Sequence, residues 1–330
     1  MLLEGKHILF FSAHAFGYEY EITMALQKEG AIVDYFDERP GNGFWVKALV
    51  RINRNFIGWY TNNYHSRILE ETKRNKYDYI FFIKGESISA SNVGRLRELH
   101  PEAQLVIYHW DSISNNKNAL NLLSLFDKAF SFDRTDCEKI DRLSFLPLFY
   151  IEDYVGISHE QDEFKYDLLF VGTAHSDRYE LIKKIEHQFE DEGRKCYSYF
   201  FFSSKALFYK MKIQNPVFKH LSSKLFHFVS LPKNELLKLF VQSKIIVDVQ
   251  HPKQTGLTMR TIETLGARKK MITTNQMIKE YDFYNSNNIL VVDRINPVVP
   301  KDFMYSPYQD IPENIYSKYS IQNWVKVIFG

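Results

Sequence analysis

Short runs of apolar, β-favouring residues alternate with helical stretches along the chain, and this alternation limits the possible folds more than any other feature. In the first half the runs occupy residues 7–13, 31–36, 78–84, 105–110, 129–132 and 145–149. They are continuously apolar, as expected for strands buried on both faces of a parallel sheet covered by helices. The pattern therefore predicts βαβ units.

The same alternation restarts in the second half of the chain. Its runs occupy residues 167–172, 196–202, 227–231, 245–249, 270–275 and 289–293. Between the halves lies the acidic, polar stretch 152–166, which we interpret as the connection between two domains. The chain is therefore predicted to form two doubly wound, Rossmann-like α/β domains. Such sheets bind ligands beyond the carboxyl ends of their strands, so we expect the chemistry in a cleft where the domains face each other.

These patterns also set the predicted boundaries. We assign a first domain to residues 1–155, a second to 156–315 and a C-terminal helix to 316–330. In that helix the spacing of Trp324, Val327 and Ile328 suits docking on another surface, with the first domain as the candidate partner.

The composition limits the partners and the compartment. Hydrophobic residues make up 45% of the 330 residues and charged residues 25%, as in ordinary globular proteins. A net charge of +2 supplies no long-range attraction to nucleic acid, so no nucleic-acid partner is expected. Cys137 and Cys196 have no zinc-site or disulfide-framework spacing. The first apolar run is too short for a signal peptide or a membrane span, which favours a cytoplasmic location.

The segment from Gln254 to Asn275, QTGLTMRTIETLGARKKMITTN, contains the strongest candidate binding site. It predicts a polar turn, a helix that Gly256 opens and that ends near Ala267, and a strand. The first N–H groups of a helix are unpaired, and the helix dipole adds positive potential there. The start of this helix is therefore expected to attract phosphate.

Side chains along this helix suit a nucleotide. Gly256, Leu257 and Thr258 form the helix start that approaches the phosphates. Arg260 can add a positive charge, and Glu263 at i+3 can accept a hydrogen bond from a ribose hydroxyl. The alternative is that Arg260 and Glu263 form only an ion pair on the helix surface, which is common and weak.

The segment resembles the second-domain signature of GT-B glycosyltransferases, especially the capsular polysaccharide and lipopolysaccharide biosynthesis enzymes, the CgeB-like group and the family-4-like transferases. The resemblance implies a GT-B fold, with the donor nucleotide sugar on the second domain and the acceptor on the first. It also implies that Glu263 matches the ribose-binding glutamate. Family-4 enzymes carry another glutamate eight positions earlier, where this chain has Thr255. The retaining mechanism of that family is therefore not implied.

A second loop supports the same interpretation. After the run at 167–172, Gly172 ends a predicted strand and a helix begins near Asp177, with Ser176 or Asp177 as the candidate N-cap. In the resembling enzymes an arginine near such a turn approaches the diphosphate. Arg178 is our candidate, and a solvated helix residue is the alternative.

Candidate catalytic residues follow strands of the first half. His14 lies beyond the first run, and His109 and Asp111 lie at the end of another, on the same side if the strand persists. A transferase needs a group that removes the proton of the acceptor hydroxyl, and imidazole or carboxylate suits that task. Asp111 and His109 are preferred over His14. The alternatives are a helix N-cap for Asp111 and a buried structural role for His109.

Two further features complete the prediction. No Asp-x-Asp motif occurs in the chain, so we expect no metal and no cofactor, with a nucleoside-diphosphate sugar as the donor substrate. Residues 44–76 combine many basic side chains with interleaved aromatic ones, including Trp59 and Tyr60. This pattern suits peripheral contact with an anionic membrane, at the inner face of the cell membrane, or packing of an aromatic face against the first domain.

The predicted function is transfer of a sugar to a hydroxyl of a surface-polysaccharide or lipid-linked oligosaccharide acceptor. A sugar-nucleotide 2-epimerase of related fold and a non-catalytic sugar-nucleotide-binding protein are the alternatives.

Overall fold

A computed structural model describes residues 1–14, 16–41, 54–157, 163–174, 177–252 and 255–330. The chain divides into two compact units. The first comprises Met1–Leu148 and Ile321–Gly330, and the second comprises Phe149–Ser320. The chain thus enters the second unit at Phe149, before the predicted boundary at 155. The physical reason is that Tyr150 already packs there, with its ring 4.7 Å from that of Tyr316.

Six parallel strands form the sheet of the first unit. They are β1 (His7–Ser12), β2 (Ile32–Asp37), β3 (Tyr79–Ile83), β4 (Gln104–His109), β5 (Lys128–Ser131) and β6 (Ser144–Phe145). Their spatial order is β2-β1-β3-β4-β5-β6. Phe10 and Phe11 point to opposite faces and are both fully buried, as continuous apolar runs predict. The last strand is shorter than its predicted run because Pro147 has no N–H to donate to a ladder.

Helices connect these strands. They are α1 (Tyr18–Lys28), α2 (Arg54–Thr72), α3 (Ala90–Leu99), α4 (Lys117–Leu122) and α5 (Arg134–Lys139), with 3-10 turns at Ile113–Asn115 and Leu123–Leu125. Local sequence explains where they begin. Ser89, for example, caps α3 by accepting a hydrogen bond from the N–H of Asn92 at 3.3 Å.

Five parallel strands form the sheet of the second unit. They are β7 (Tyr166–Thr173), β8 (Cys196–Phe201), β9 (Ser243–Asp248), β10 (Lys270–Thr273) and β11 (Ile289–Val291), in the spatial order β11-β10-β9-β7-β8. The strand predicted at 227–231 is wrong. Only His227 pairs, through an isolated bridge to Phe201, and its ring stacks on Tyr199. Val229 is 73% exposed, so that run is not buried as a strand in this sheet would be.

The second unit has helices of very different length. They are α6 (Glu152–Val155), α7 (Arg178–Glu190), α8 (Lys205–Gln214), α9 (Pro216–Lys219), α10 (Lys233–Val241), α11 (Met259–Gly266), α12 (Lys301–Tyr305) and α13 (Glu313–Tyr316). Short 3-10 helices lie at Ser223–Leu225, Gln276–Glu280 and Ser317–Tyr319. Apolar side chains of the sheet and of α7, α8, α9 and α12 share one buried core.

The final helix, α14 (Ile321–Phe329), belongs to the first unit. Trp324 is 1% exposed and its ring lies 4.9 Å from Tyr108 and 5.9 Å from Phe81. Ile328 is also buried, but Val327 is 45% exposed and is not part of the docking face. Within the described residues, the structure has no helix long and apolar enough to cross a membrane.

Candidate functional site

Each sheet reverses its direction of winding at one point. In the second unit the reversal lies between β7 and β9, and in the first it lies between β1 and β3. At such a point the loops after two neighbouring strands diverge, and open α/β sheets bind ligands in the crevice that results. A ligand is therefore expected at the loops that follow Thr173 and Asp248 in the second unit, and at those that follow Ser12 and Ile83 in the first.

In the second unit, Asp248 fixes the start of helix α11. Its Oδ2 accepts hydrogen bonds from Thr258 Oγ1 at 2.7 Å and from Thr261 Oγ1 at 2.5 Å. Thr258 is the N-cap, because its Oγ1 also accepts from the N–H of Thr261 at 3.2 Å. The prediction that Gly256 opens the helix is therefore wrong in detail. A threonine side chain can satisfy an unpaired N–H, and glycine has no side chain to do so.

The turn before this cap is held by the neighbouring strand. Asn275, which follows β10, donates from Nδ2 to the carbonyls of Thr255 at 3.2 Å and Gly256 at 3.3 Å. The side chain of Leu257 is buried, at 2% exposure. Only the backbone of Leu257 can therefore face a ligand. Gln254, the first residue of the candidate segment, lies outside the described residues.

Arg178, the first residue of α7, lies beside the end of β7. Its Nη1 donates to the Oγ1 of Thr173 at 2.7 Å and to the carbonyl of the same residue at 3.4 Å. Burial lowers the pKa of the Arg178 guanidinium, and the charge of Asp248 opposes this shift. A Cβ on Gly172 would lie 2.9 Å from Cζ of Phe170, so the packing of that ring requires glycine. Arg178 is thus a partly buried cation at the winding reversal.

Sequence reasoning missed Arg294, which follows β11. Its Nε and Nη2 bind the two carboxylate oxygens of Asp177 at 2.6 and 2.8 Å. Its Nη1 donates to the carbonyl of Gln250 at 3.1 Å and to Thr274 Oγ1 at 3.3 Å. Arg294 therefore connects, through hydrogen bonds, the loops that follow β7, β9, β10 and β11. Asp177 makes no side-chain capping bond to α7, and Ser176 lies outside the described residues.

Arg260 and Glu263 form an ion pair, 2.6 Å between Nη1 and Oε2. Their side chains are 18% and 7% exposed, so this is a largely buried pair, in contrast to the surface pair that the sequence left open. The Arg260 guanidinium lies 5.2 Å from the centroid of the Phe240 ring. Burial, and secondarily the charge of Glu263, raises the pKa of Tyr154, whose hydroxyl hydrogen-bonds with this pair. Tyr154 was not foreseen, because it comes from α6, far away in sequence.

In the first unit, His14 follows β1 and is held by two carboxylates. Its Nδ1 lies 2.5 Å from Oε1 of Glu19, and its Nε2 lies 3.9 Å from Oδ2 of Asp37. The Glu19 side chain is 1% exposed, whereas His14 is 44% exposed. Gly17, at φ +86°, allows the turn that brings Glu19 back to the histidine. The result is an accessible imidazole oriented by a buried carboxylate.

Asp111 follows β4 and forms an ion pair with Lys84, which follows β3. Lys84 has a φ of +75°, an unfavourable conformation for a residue with a side chain. The carbonyl of Lys84 accepts from Nδ2 of Asn116 at 3.0 Å, which helps to hold this conformation. Backbone strain of this kind concentrates at functional sites. Asp111 is not a helix cap, since Ser112 occupies that position before the 3-10 turn.

His109 is not available as a catalytic base. It is 1% exposed, and burial lowers its pKa to about 4. Strand β4 ends at His109, so His109 and Asp111 do not share the face of a continuing strand. An acceptor hydroxyl cannot reach a ring enclosed in the core. The preference for His109 as a base is therefore corrected, and its buried structural alternative describes it better.

The fold can be compared with known structures. A glycosyltransferase from Rickettsia africae matches with a TM-score of 0.56 and 14% identity, over 99% of this chain and 94% of that one. HepE from Anabaena, solved in complex with UDP and glucose, matches with a TM-score of 0.58 and 11% identity, over 98% of both chains. This chain has the GT-B fold. The likeness extends over nearly the full length of both neighbours.

The GT-B fold is also found among epimerases. The UDP-GlcNAc 2-epimerase from Methanocaldococcus jannaschii matches with a TM-score of 0.58 and 11% identity, over 98% of this chain and 99% of that one. No protein-family model and no curated protein sequence matches the chain. At these identities the likeness establishes the fold alone, and function has to be argued from the residues.

Proposed function

We propose that the protein is a glycosyltransferase that moves a sugar from a nucleoside-diphosphate sugar to a hydroxyl of a surface-polysaccharide or lipid-linked oligosaccharide acceptor. The observation that carries the proposal is the pair formed by His14 and Glu19, in which a buried carboxylate holds one nitrogen of a partly exposed imidazole. Such a pair suits proton removal from a hydroxyl nucleophile. The GT-B fold supports the same reaction class by analogy.

We assign the donor diphosphate to the carboxyl edge of the second sheet. Arg178 and Arg294 would neutralise it, together with the first N–H groups of α11. Both guanidiniums now have carboxylate neighbours, Asp248 and Asp177 respectively. Binding of the diphosphate therefore exchanges one set of charge interactions for another. The proposal involves no metal ion.

We assign the ribose to Glu263. A carboxylate has about four lone-pair positions, so Glu263 can accept from a ribose hydroxyl in addition to Arg260 and Tyr154. In this role Arg260 holds the carboxylate in place and does not contact the phosphate. Replacing Glu263 by glutamine tests the assignment, since it should weaken UDP binding but leave pyrophosphate binding unchanged. Equal binding of UDP by both proteins would remove Glu263 from the site.

In the reaction, Nε2 of His14 takes the proton of the acceptor hydroxyl while the hydroxyl oxygen bonds to the anomeric carbon. The bond between that carbon and the diphosphate oxygen breaks, and the nucleoside diphosphate leaves with the bonding electrons. Arg178 and Arg294 stabilise its charge. Glu19 accepts a hydrogen bond from Nδ1–H of His14, which leaves Nε2 as the nitrogen that takes the hydroxyl proton. Asp111 is the alternative base, but one of its carboxylate oxygens forms an ion pair with Lys84.

Native mass spectrometry against a panel of nucleoside-diphosphate sugars tests this function. We expect at least one member to bind, and Arg178→Met to weaken that binding. The exposed Lys210 offers a matched control, since Lys210→Gln removes a positive charge from the same unit without touching the site. A panel in which nothing binds would contradict the proposal.

Epimerisation is the competing function, because an epimerase matches the fold as well as the transferases do. Incubation with a bound sugar nucleotide and no acceptor separates the two. A transferase leaves the sugar intact or hydrolyses it slowly, whereas a 2-epimerase isomerises it. A non-catalytic binding protein would retain the donor and yield no product with any acceptor, and replacement of His14 and Asp111 would change nothing.

We further propose peripheral contact with an anionic membrane through α2 and the basic residues around it. Trp59 and Tyr60 are 63% and 43% exposed, as insertion between lipid headgroups requires. Residues 42–53, which include much of the predicted surface, lie outside the described residues. Flotation with vesicles containing anionic lipid should recover the wild type at low salt and lose it at high salt. Flotation that is absent at low salt would contradict this contact.

A further inference from the structure

The second unit contains a cavity of about 650 Å³ at the amino ends of its strands. It lies at the opposite edge of the sheet from Asp248. Lys244 and Asp248 lie four positions apart on the same strand, so roughly 13 Å separates the two edges. Six basic side chains and three carboxylates line the cavity. The basic residues are Arg194, Lys195, Lys244, Arg268, Lys269 and Lys270.

Two of these lysines have a structural role that leaves their charge in place. Nζ of Lys244 donates to the carbonyl of Met304 at 2.8 Å, and Nζ of Lys270 donates to the carbonyl of Phe303 at 2.7 Å and to Ser306 Oγ at 2.5 Å. These acceptors lie at the carboxyl end of α12, where unpaired carbonyls attract cations. These acceptors are neutral oxygens, so they do not neutralise the positive charges of Lys244 and Lys270. Burial, and secondarily the charge of Lys244, lowers the pKa of Lys270 to about 8.

Lys269 adds a third ammonium group to the wall of the cavity. The residue is 3% exposed, and its Nζ lies 4.4 Å from the centroid of the Phe164 ring. Burial lowers its pKa to about 8. Lys269 and Lys270 are buried and Lys244 is half-buried, and like charges in one wall repel one another and are costly to desolvate.

The carboxylates of the cavity offset this charge only in part. Asp167 accepts from Arg194 Nη1 at 3.4 Å and from the N–H of Lys195 at 3.0 Å. Asp310 accepts from Arg268 Nη1 at 3.2 Å. Arg268 Nη2 also donates to Glu313 at 2.8 Å, so these contacts engage the two arginines. The cavity therefore keeps an excess of positive charge in a partly desolvated space, where an anion is attracted strongly.

We propose that this cavity binds a small phosphate ester of nucleotide or sugar-phosphate size, as a second site separate from the donor site. Its volume lies within the range of small-molecule sites, about 300–1,000 Å³. The lysines and arginines supply the charges that a phosphate dianion requires. Phe164, Tyr305 and Tyr308 supply aromatic surface for the organic part of the ligand. The inference does not depend on transferase activity.

Calorimetric titration with ribose 5-phosphate and with uridine 5′-monophosphate tests the proposal. Lys195 is exposed, so Lys195→Gln should fold normally, and Lys269→Met keeps the aliphatic stem while removing the buried charge. We expect each variant to weaken ribose 5-phosphate binding at least fivefold, with Lys210→Gln as the unchanged control.

A pH series and a local signal identify the site. A phosphate monoester stays dianionic above pH 7.5. Loss of the Lys269 proton, at a pKa of about 8, should therefore weaken binding about tenfold between pH 7.5 and pH 9. The amide resonance of Gly193, which lines the cavity, should shift on titration, and Arg178→Met should leave this shift unchanged. The proposal is overturned if neither ester binds at millimolar concentration. It is also overturned if both lysine variants bind ribose 5-phosphate as tightly as the wild type does and the Gly193 signal does not shift.

Discussion

The two units have sheets of the same strand order, 2-1-3-4-5 in each case with one more strand in the first, but the loops at their carboxyl edges carry different chemistry. In the second unit, Arg178 and Arg294 are cations held beside a helix start. In the first, His14 and Asp111 can exchange protons and are each held by an oppositely charged or polar neighbour. One topology can therefore position a charge-binding edge or a proton-transferring edge, depending on the residues that follow each strand.

His14→Ala should have the largest effect on the reaction. Because we assign proton removal to His14, turnover should fall about 10²–10⁴-fold. Donor affinity, measured by calorimetry, should stay within about twofold, since the donor is assigned to the other edge. Asp111→Asn is the matched comparison. A loss of turnover in Asp111→Asn with normal turnover in His14→Ala would move the base to Asp111.

A second test concerns the buried acid beside the proton-transferring edge. Glu38 is 1% exposed, and its Oε1 accepts from the N–H of Ser87 at 2.5 Å. Burial raises its pKa to about 7. Between pH 4.5 and pH 7 the folded protein therefore holds a proton that the unfolded chain has released, so this group makes stability fall as the pH rises through that window. The whole effect is about 3 kcal/mol.

Glu38→Gln should abolish that part of the pH dependence. The measurement is the free energy of unfolding in urea at several pH values from 5 to 8. Glu98→Gln, at an exposed position of α3, serves as the control and should keep the wild-type slope. An unchanged slope in Glu38→Gln would mean that Glu38 is ionised in the folded protein throughout this range.

At the second edge, Arg294→Met should weaken the binding of UDP about 30-fold, which corresponds to about 2 kcal/mol for a lost charge-assisted contact. Turnover at saturating donor should change much less than affinity. Isothermal titration supplies the affinity, and initial rates supply the turnover. The assignment of the diphosphate to this edge fails if UDP binds Arg294→Met and Arg178→Met as tightly as it binds the wild type.

The smallest expected effect concerns the end of α11. A Cβ on Gly266 would lie 2.6 Å from Cβ of Tyr150, so Gly266→Ala should lower the stability of the second unit by about 1–2 kcal/mol. A Cβ on Gly94, in the interior of α3, would meet no atom within 4 Å outside its own helix, and Gly94→Ala should raise the stability slightly. Thermal unfolding compares the two. A more stable Gly266→Ala would contradict the close packing.

Much of the fold could be predicted from the sequence, because the buried parallel strands are continuous apolar runs. The run at 227–231 is equally apolar, yet only His227 pairs with the sheet. Run length and composition do not say whether a partner strand is available. Likewise His109 ends an apolar run, and only the packing around it shows that the ring is enclosed.

The candidate site was less predictable, since its decisive contacts join residues far apart in the chain. Arg178 could be chosen because it follows a glycine turn. Arg294 has no local motif, and its importance comes from Asp177, which lies 117 positions earlier. Glu19 is only five positions from His14, but the backbone turn at Gly17 decides whether they meet. Local patterns predict the elements, whereas long-range hydrogen bonds determine which side chains act together.

A titration of UDP into isotopically labelled protein, monitored through the backbone amide signals, tests directly where the donor nucleotide binds. We expect the signals of Gly172 and Thr258, at the carboxyl edge of the second sheet, to shift at UDP concentrations too low to affect Gly193. Shifts confined to Gly193 or to residues of the first unit, or no shifts at all, would contradict the assignment of the donor nucleotide to that edge.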